Sequence, residues 1–568
     1  MTEQLSSRPR IAVFSGPKAT IQNSEPLVTS NKARQKYGLP PRTNEDGSHV
    51  RFDVLRPQRL AAPVTVYVEQ YSAHPLERDV QELYAPPDGY VDGQGVFHRA
   101  RRGPADVPVY EITLRPDDGL LPLPYMGRQA DGQPWDDDGA HPLAPAQFCR
   151  QPFYPDASRI FEEIDRLGVG HSGVGNLLSA KADFDFYRAA PSGGYTSGLP
   201  AAERTDVGTG DIPPERLGED FFPYRPRHLS FDPTHQALAR LTNMVQRALE
   251  GGQYAGALWL EGTPNVEETT YWLHLLIDTS VPIVGTASQR AHGALGNDGD
   301  RNIVDAVDYI VSGIWADDAR QNRLGGVVIQ DEQIFTAREV QKADARPGGY
   351  ISTGGHGGIV GSIGDPGPPV LTFVPTRRHT YTSAVNLRCL PATVLGVRRD
   401  GDRLVRAPVR VQDERGDLIA EAIPTVTISK MGHYLLEDSQ ADPGAEVDII
   451  ARVEHNLRTG RLSGFVGEGM APFGLMNHRL DAALRRAVLS GLPVVKVGRG
   501  NAEGFTQPSG LFLGGGNLTA TKARLLLMAC LLRFGSLLPV ANPDEPTPSE
   551  LDAIQVALAE YQAVFDSH

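Results

Sequence analysis

The stretch Leu258-Trp259-Leu260-Glu261-Gly262-Thr263-Pro264-Asn265-Val266-Glu267-Glu268-Thr269-Thr270-Tyr271-Trp272-Leu273 decides the fold. An apolar strand, Ala255–Leu260, runs into Gly-Thr, and a helix with two acids in its first turn follows. Acids there complement the positive end of the helix dipole, and Thr263 or Asn265 can cap the first free N–H groups. In open α/β sheets, the crevice outside a strand's carboxyl end is also the usual ligand site. The local pattern therefore reads either as a plain helix start or as a threonine placed at a crevice.

Working outward, the same rhythm continues. Leu238–Leu249, Glu267–Asp278 and Ile303–Ile314 have helical spacing, while Val281–Val284 and Val327–Gln330 read as strands. This alternation predicts a parallel sheet flanked by helices. Upstream, Ile11–Phe14 predicts a buried first strand that ends at Ser15-Gly16-Pro17. Residues of about 40–225 are rich in Pro, Gly and Asp, with strand-like pieces at Val64–Val68 and Val109–Leu114. A structureless loop of that length is improbable, so this stretch reads as an insertion with its own short strands.

Downstream, residues of about 390–429 read as a β-hairpin insertion, with turns at Asp400-Gly401 and Arg415-Gly416. After Pro443 the α/β rhythm resumes with an apolar segment at Val447–Val453. A helix at Leu480–Leu489, a strand at Pro493–Val497, a long helix from Thr521 and a last helix at Ser549–Val564 complete it. The organisation expected is an α/β domain over 1–435, carrying both insertions, and a second, smaller α/β domain over 444–568.

Composition narrows the function. The 568 residues include 55 Lys plus Arg and 69 Asp plus Glu, for a net charge of −14. An acidic chain without a dense basic run is a poor candidate for nucleic acid or an anionic membrane. Three cysteines, Cys149, Cys389 and Cys530, are too scattered for a disulfide framework or a zinc cluster, which fits a reducing cytoplasm. The first ten residues lack the apolar core of a signal peptide, and the apolar run Leu525–Leu532 is too short to cross a bilayer. No histidine pair has metal-ligand spacing, and no metal or cofactor is expected.

Four segments in order resemble the bacterial-type L-asparaginase/glutaminase family. Glu261-Gly262-Thr263 through Glu267-Glu268-Thr269 resembles its second threonine motif, His-Gly-Thr-Asp-Thr-x-Glu-Glu-Thr. Val284-Gly285-Thr286 with Asp298-Gly299-Asp300-Arg301-Asn302 resembles its Val-Gly-Ala and Asp-Gly-Pro-x-Asn pair. Asp331 to Lys342 resembles Asp-Glu-Ile-x-x-Ala-Arg-x-x-x-Lys, and Gly516 to Arg524 resembles Gly-x-Leu-x-Pro-x-Lys-Ala-Arg without its proline.

The resemblance implies a two-domain α/β amidohydrolase. The family's first threonine, the nucleophile, falls by position on Thr20, where only Thr-Ile remains of Thr-Gly-Gly-Thr-Ile. A hydroxyl must lose its proton as it attacks an amide carbonyl, and a lysine kept neutral by burial can take it through a second hydroxyl. Thr263 and Lys342 match those roles, with backbone N–H groups at Thr263 and near Ala19 stabilising the oxyanion. Tyr37 is the nearest tyrosine for the family's lid position. The implied assembly is a homodimer or homotetramer.

The sequence also departs from the family. The aspartate that grips the substrate's α-ammonium is Pro264 here, and the histidine before the motif is Glu261. The carboxylate-binding Asp-Ser pair should fall near Arg227-His228-Leu229-Ser230, where Ser230 alone can serve. With Glu261, Pro264, Asn265, Ser230 and Thr286 around the pocket, the expected substrate is a small linear or cyclic amide other than free L-asparagine. Arg227, Arg377, Arg378 and His379 are further candidates for holding a carboxylate. Two other readings stand beside this one: an ammonia-releasing subunit of a transamidation complex, and a non-catalytic binding or regulatory protein.

Overall fold

The computed structural model describes residues 8–17, 19, 28–30, 46–47, 52–58, 64–68, 87–92, 97–114, 121–124, 160–161, 164, 177–188, 234–263, 265–290, 296–353, 357–364, 367–432, 442–471, 473–499 and 506–568. The main sheet collects β1 (Arg10–Ser15), β2 (Asp183–Arg188), β3 (Gly256–Leu260), β4 (Ile283–Thr286) and β5 (Gly326–Gln330), all parallel. It continues through β6 (Gln333–Thr336), β9 (Ile359–Ser362) and β10 (Val370–Leu371), all antiparallel. The order across it is β10-β9-β6-β5-β4-β3-β1-β2. Between β6 and β9 the chain makes a two-stranded ribbon, β7 (Val340–Lys342) against β8 (Tyr350–Ser352).

Both faces of this sheet are buried, which explains why its strands read as continuous apolar runs. The two-residue strand period sends Ile11, Val13, Leu258, Val284 and Val327 to one face, against α3 (Gly299–Ser312). It sends Ala12, Phe14, Ala257, Trp259 and Val328 to the other, against α1 (His235–Glu250) and α2 (Asn265–Leu276). Thr234 caps α1 by accepting from Ala237 N, and Trp272 Nε1 donates to Thr242 Oγ1 at 2.8 Å to fix α2 on α1. Gly285 permits the close seat of α2, because a Cβ there would lie 2.2 Å from Thr270 Oγ1.

Most of the alternation expected from the sequence is present. One piece of the 40–225 stretch, however, joins the main sheet: Asp183–Arg188 pairs parallel with β1, burying Phe184 and Phe186 against Phe161. The rest of its described strands lie within residues 52–124 and, together with Val28–Ser30, form a seven-stranded antiparallel sheet that includes Val64–Val68 and Val107–Leu114.

After the main sheet come a hairpin, β11 (Thr393–Asp400) with β12 (Arg403–Arg410), and a second parallel sheet. The hairpin turns through Gly401 at φ +59°. The second sheet has the order β13 (Thr425–Lys430), β14 (Ser463–Gly469), β15 (Val494–Gly498) and β16 (Leu513–Gly514). Its first strand thus lies upstream of the division expected near 435–444. Val447–Val453 is the start of a helix, α4 (Val447–Thr459), and α5 (His478–Leu489) follows. The run Leu525–Leu532 lies inside α6 (Ala520–Phe534), which packs on β14 and on α2, and α7 (Pro548–Ser567) closes the chain. One apolar core therefore runs from β1 and α2 into the second sheet. No helix among the described residues is long and apolar enough to cross a membrane.

Candidate active site

The carboxyl ends of β1, β3 and β4 are level, with Ser15 beside Leu260 and Leu260 beside Thr286. Whatever follows these strands gathers at one crevice. Gly16 N donates to Leu260 O at 2.7 Å, and Ala19 N turns back to Gly16 O at 3.1 Å. Gly16 is therefore tied to the end of β3, and Ala19, the residue before Thr20, is tied to Gly16. Thr20 itself, like Tyr37, Arg227, Ser230 and Pro264, lies outside the described residues.

Thr263 stands between the end of β3 and the first turn of α2. Lys342 reaches it from the end of β7: its Nζ lies 2.8 Å from Thr263 Oγ1. A protonated lysine donates across that contact and a neutral one accepts, so the pair can pass a proton either way. Lys342 makes no ion pair among the described residues, not even with Glu339 three positions before it. Glu339 binds Arg338 instead, at 2.7 Å. The lysine's backbone is also anchored, since Lys342 N donates to a carboxylate oxygen of Glu267.

Glu267 is a buried carboxylate on α2 whose pKa burial raises, offset by Lys522 and by the Lys342 amide. Lys522, 1% exposed, comes from α6 and donates to the carbonyls of Glu267 and Ala337, the latter at 2.7 Å. Arg524 on the same helix pairs with Glu268. The Lys-Ala-Arg segment thus holds the first turn of α2 against the turn that leads to Lys342.

Glu261 is buried, and its Oε1 accepts from Gly262 N at 3.2 Å. Its carboxylate lies over Gly16, where a Cβ would approach Oε2 to 1.9 Å. Gly16→Ala is accordingly expected to displace Glu261 and to lower stability by about 1–3 kcal/mol, as overpacking does. Chemical denaturation checks this, and adding Glu261→Ala should recover most of the loss. Thr286 is buried with its Oγ1 unpartnered among the described residues, and Asn265 begins α2 half-buried. Thr263 N likewise makes no hydrogen bond to the described residues, whereas Ala19 N is used in its own turn.

Several groups at this edge were not singled out from the sequence. Ser15 Oγ, at the end of β1, is buried and unpartnered among the described residues. Tyr350, opposite Lys342 in the ribbon, is buried, and burial with Glu267 and Asp298 nearby pushes its hydroxyl above its ordinary range. Asp298 accepts from Gln289 N and Arg290 N at 3.0 and 2.9 Å, while Asn302 Nδ2 reaches Ala287 O at 3.0 Å and Gln330 Oε1 at 2.9 Å. These two motif residues fix the loop after β4. By contrast, His379 packs on His274 at the far end of α2, with ring centroids 5.6 Å apart. The Arg377-Arg378-His379 run therefore belongs to another part of the molecule.

The segment that carries this crevice has recognisable similarity to known proteins. Residues 222–358 match the family model described as Asparaginase, N-terminal. This part of the chain is similar to the N-terminal domain of asparaginases. An L-asparaginase of Bacillus licheniformis is 38% identical over 112 residues, 20% of this chain and 33% of that protein. A glutaminase-asparaginase of Acinetobacter glutaminasificans is 27% identical over 163 residues, 28% of this chain and 46% of that one. The chain thus spans less than half the length of these curated relatives. Among solved structures, a probable cytoplasmic L-asparaginase from Campylobacter jejuni aligns at 21% identity and a TM-score of 0.41, over 58% of this chain and 86% of that one. The matched segment contains Thr263, Asn265, Thr286 and Lys342, and Lys522 supports it from outside.

Proposed function

We propose that this protein hydrolyses the C–N bond of a small linear or cyclic amide through an acyl-enzyme on Thr20. The 2.8 Å contact of Lys342 Nζ with Thr263 Oγ1, at the carboxyl edge of the sheet, carries this reading. Thr20 Oγ attacks the carbonyl carbon as its proton passes through Thr263 to Lys342. Collapse of the tetrahedral intermediate breaks the C–N bond, and the leaving nitrogen takes the proton. Water then attacks the ester, giving its proton to the same relay, and collapse of the second tetrahedral intermediate breaks the ester bond and returns that proton to Thr20 Oγ, releasing the acid. The Thr263 N–H, unpartnered among the described residues, is available to the developing oxyanion.

The relatives are named for asparagine and glutamine, yet Pro264 stands where the family's ammonium-gripping aspartate belongs. Proline offers neither a charge nor an N–H. A substrate without a free α-amino group suits this crevice better, with Glu261, Asn265, Ser230 and Thr286 as its surroundings. The working assembly is a homodimer or homotetramer in the cytoplasm. A panel of simple amides, lactams, asparagine and glutamine, assayed for ammonia or amine release, tests the specificity. We expect kcat/KM for the best amide lacking the α-amino group to exceed that for asparagine by about 10²-fold or more. Preferred turnover of asparagine would overturn the specificity reading and leave the reaction class intact.

A further inference from the structure

A cavity of about 210 Å³ lies at the opposite edge of the main sheet from Thr263. His274, on the last turn of α2, lines it and accepts from Gly326 N, the first residue of β5, at 3.0 Å. With α2 rising about 1.5 Å per residue, His274 lies about 14 Å along the helix from Asn265, at the end away from Thr263. Arg338 and Glu339 enter from the turn after β6, Arg377 and Phe373 from the segment after β10, and Asn517 from the loop before α6.

The lining is incompletely satisfied in one consistent sense. His274 is 3% exposed, and because its Nδ1 accepts, a neutral ring carries its proton on Nε2. That Nε2 has no partner among the described residues. Burial holds the ring's pKa well below the ordinary value, so it offers a neutral donor. Arg338 is already held, by Glu339 at 2.7 Å and by Asn517 and the His568 carbonyl at 2.8 Å. Arg377, half-buried, bonds only a backbone carbonyl, that of Asp566, among the described residues. The charged groups of the lining are two arginines and one glutamate, and the Asp566 carboxylate also acts on Arg377 from outside it. Phe373, 51% exposed, adds an apolar wall at the rim.

We propose that this cavity is a second ligand site, separate from the catalytic crevice, that takes a small organic monoanion: a carboxylate on a short apolar body. Arg377 supplies the countercharge, His274 Nε2–H supplies the neutral donor, and Phe373 covers the apolar body. The Arg338–Glu339 pair sets the limit of one negative charge, since a dianion would face the Glu339 carboxylate.

Isothermal titration of the full chain with 4-methylpentanoate tests this, with 4-methylpentan-1-ol and inorganic phosphate as comparison probes. Saturable binding of the carboxylate is expected, with the alcohol and phosphate each weaker by about tenfold or more. Arg377→Gln should weaken the carboxylate by at least about tenfold, and Phe373→Ser, an exposed change that leaves the fold alone, by a few-fold. The Thr263→Ala protein should bind it as the unaltered chain does. The absence of saturable binding would overturn the proposal, as would equal affinity for the alcohol or unchanged binding in Arg377→Gln. Loss of binding in Thr263→Ala would also do so, by placing the carboxylate in the catalytic crevice.

Discussion

Thr263→Ala is expected to lower kcat on the best amide substrate by about 10³-fold, with KM changed only a few-fold. A positioned proton relay contributes on the order of 10²–10⁴ to rate, and this side chain is the contact through which Lys342 reaches the crevice. Lys342→Met keeps the length of the side chain and removes its nitrogen, so a loss of similar size should follow. Because the two act as one relay, the double variant should be little worse than the poorer single one. Thr263→Ser restores an oxygen and should recover much of the rate. Steady-state kinetics on all four variants, with denaturation midpoints beside them, separate this from a structural role. If Thr263→Ala keeps activity within about threefold, or if losses multiply in the double variant, the relay is wrong.

The features legible in the sequence are those written as short periods. Ala255–Leu260 and Val327–Gln330 are continuous apolar runs, and both are strands buried on two faces. The pairing of Thr263 with Lys342 rests on motif resemblance, and their side chains do meet. What was missed has a physical reason in each case. β14, Ser-Gly-Phe-Val-Gly-Glu-Gly, has three glycines in seven residues and little intrinsic strand preference; parallel pairing with β13 and β15 makes it a strand. β2 alternates Asp-Phe-Asp-Phe in a stretch whose Pro and Gly content suggested an insertion, and its partner lies about 170 residues earlier in the chain. Val447–Val453 is too short to reveal its period, and its helix is recognisable only with Leu457 included. Ser15 and Tyr350 gain their places at the crevice from tertiary packing, which no local spacing records. His274 reads as an ordinary helix-end residue until Gly326 N fixes which nitrogen carries its proton.

Lys522→Met is expected to be the most destabilising of these changes, at about 3–5 kcal/mol, because it leaves two buried carbonyls without their donor and removes the positive charge that offsets the buried Glu267 carboxylate. The ammonium is fully enclosed: it donates to the carbonyls of Glu267 and Ala337 and lies 5.1 Å from the centre of the Tyr271 ring. Burial pulls its pKa down to about 8, against the pull of Glu267, Glu268 and Glu339. Methionine fills the space of the stem and supplies neither the charge nor the donors. Glu267, already raised by burial, then rises further. A carboxyl whose folded pKa exceeds its unfolded value contributes stability below the unfolded value, and that contribution is lost as pH rises through the folded one. The deficit of Lys522→Met should therefore be largest near neutral pH and should shrink as pH falls toward about 4.5, the ordinary glutamate value. Adding Glu267→Gln removes the orphaned charge, so the double variant should regain stability at pH 7 and lose the pH dependence. Since Lys522 ties the α2 turn that bears Thr263 to the turn that leads to Lys342, kcat should fall as well, even at temperatures where the variant is folded. Denaturant midpoints measured across pH 5–8 for the two variants decide the matter. A deficit independent of pH, or one that Glu267→Gln deepens, would mean that Lys522 acts by packing alone.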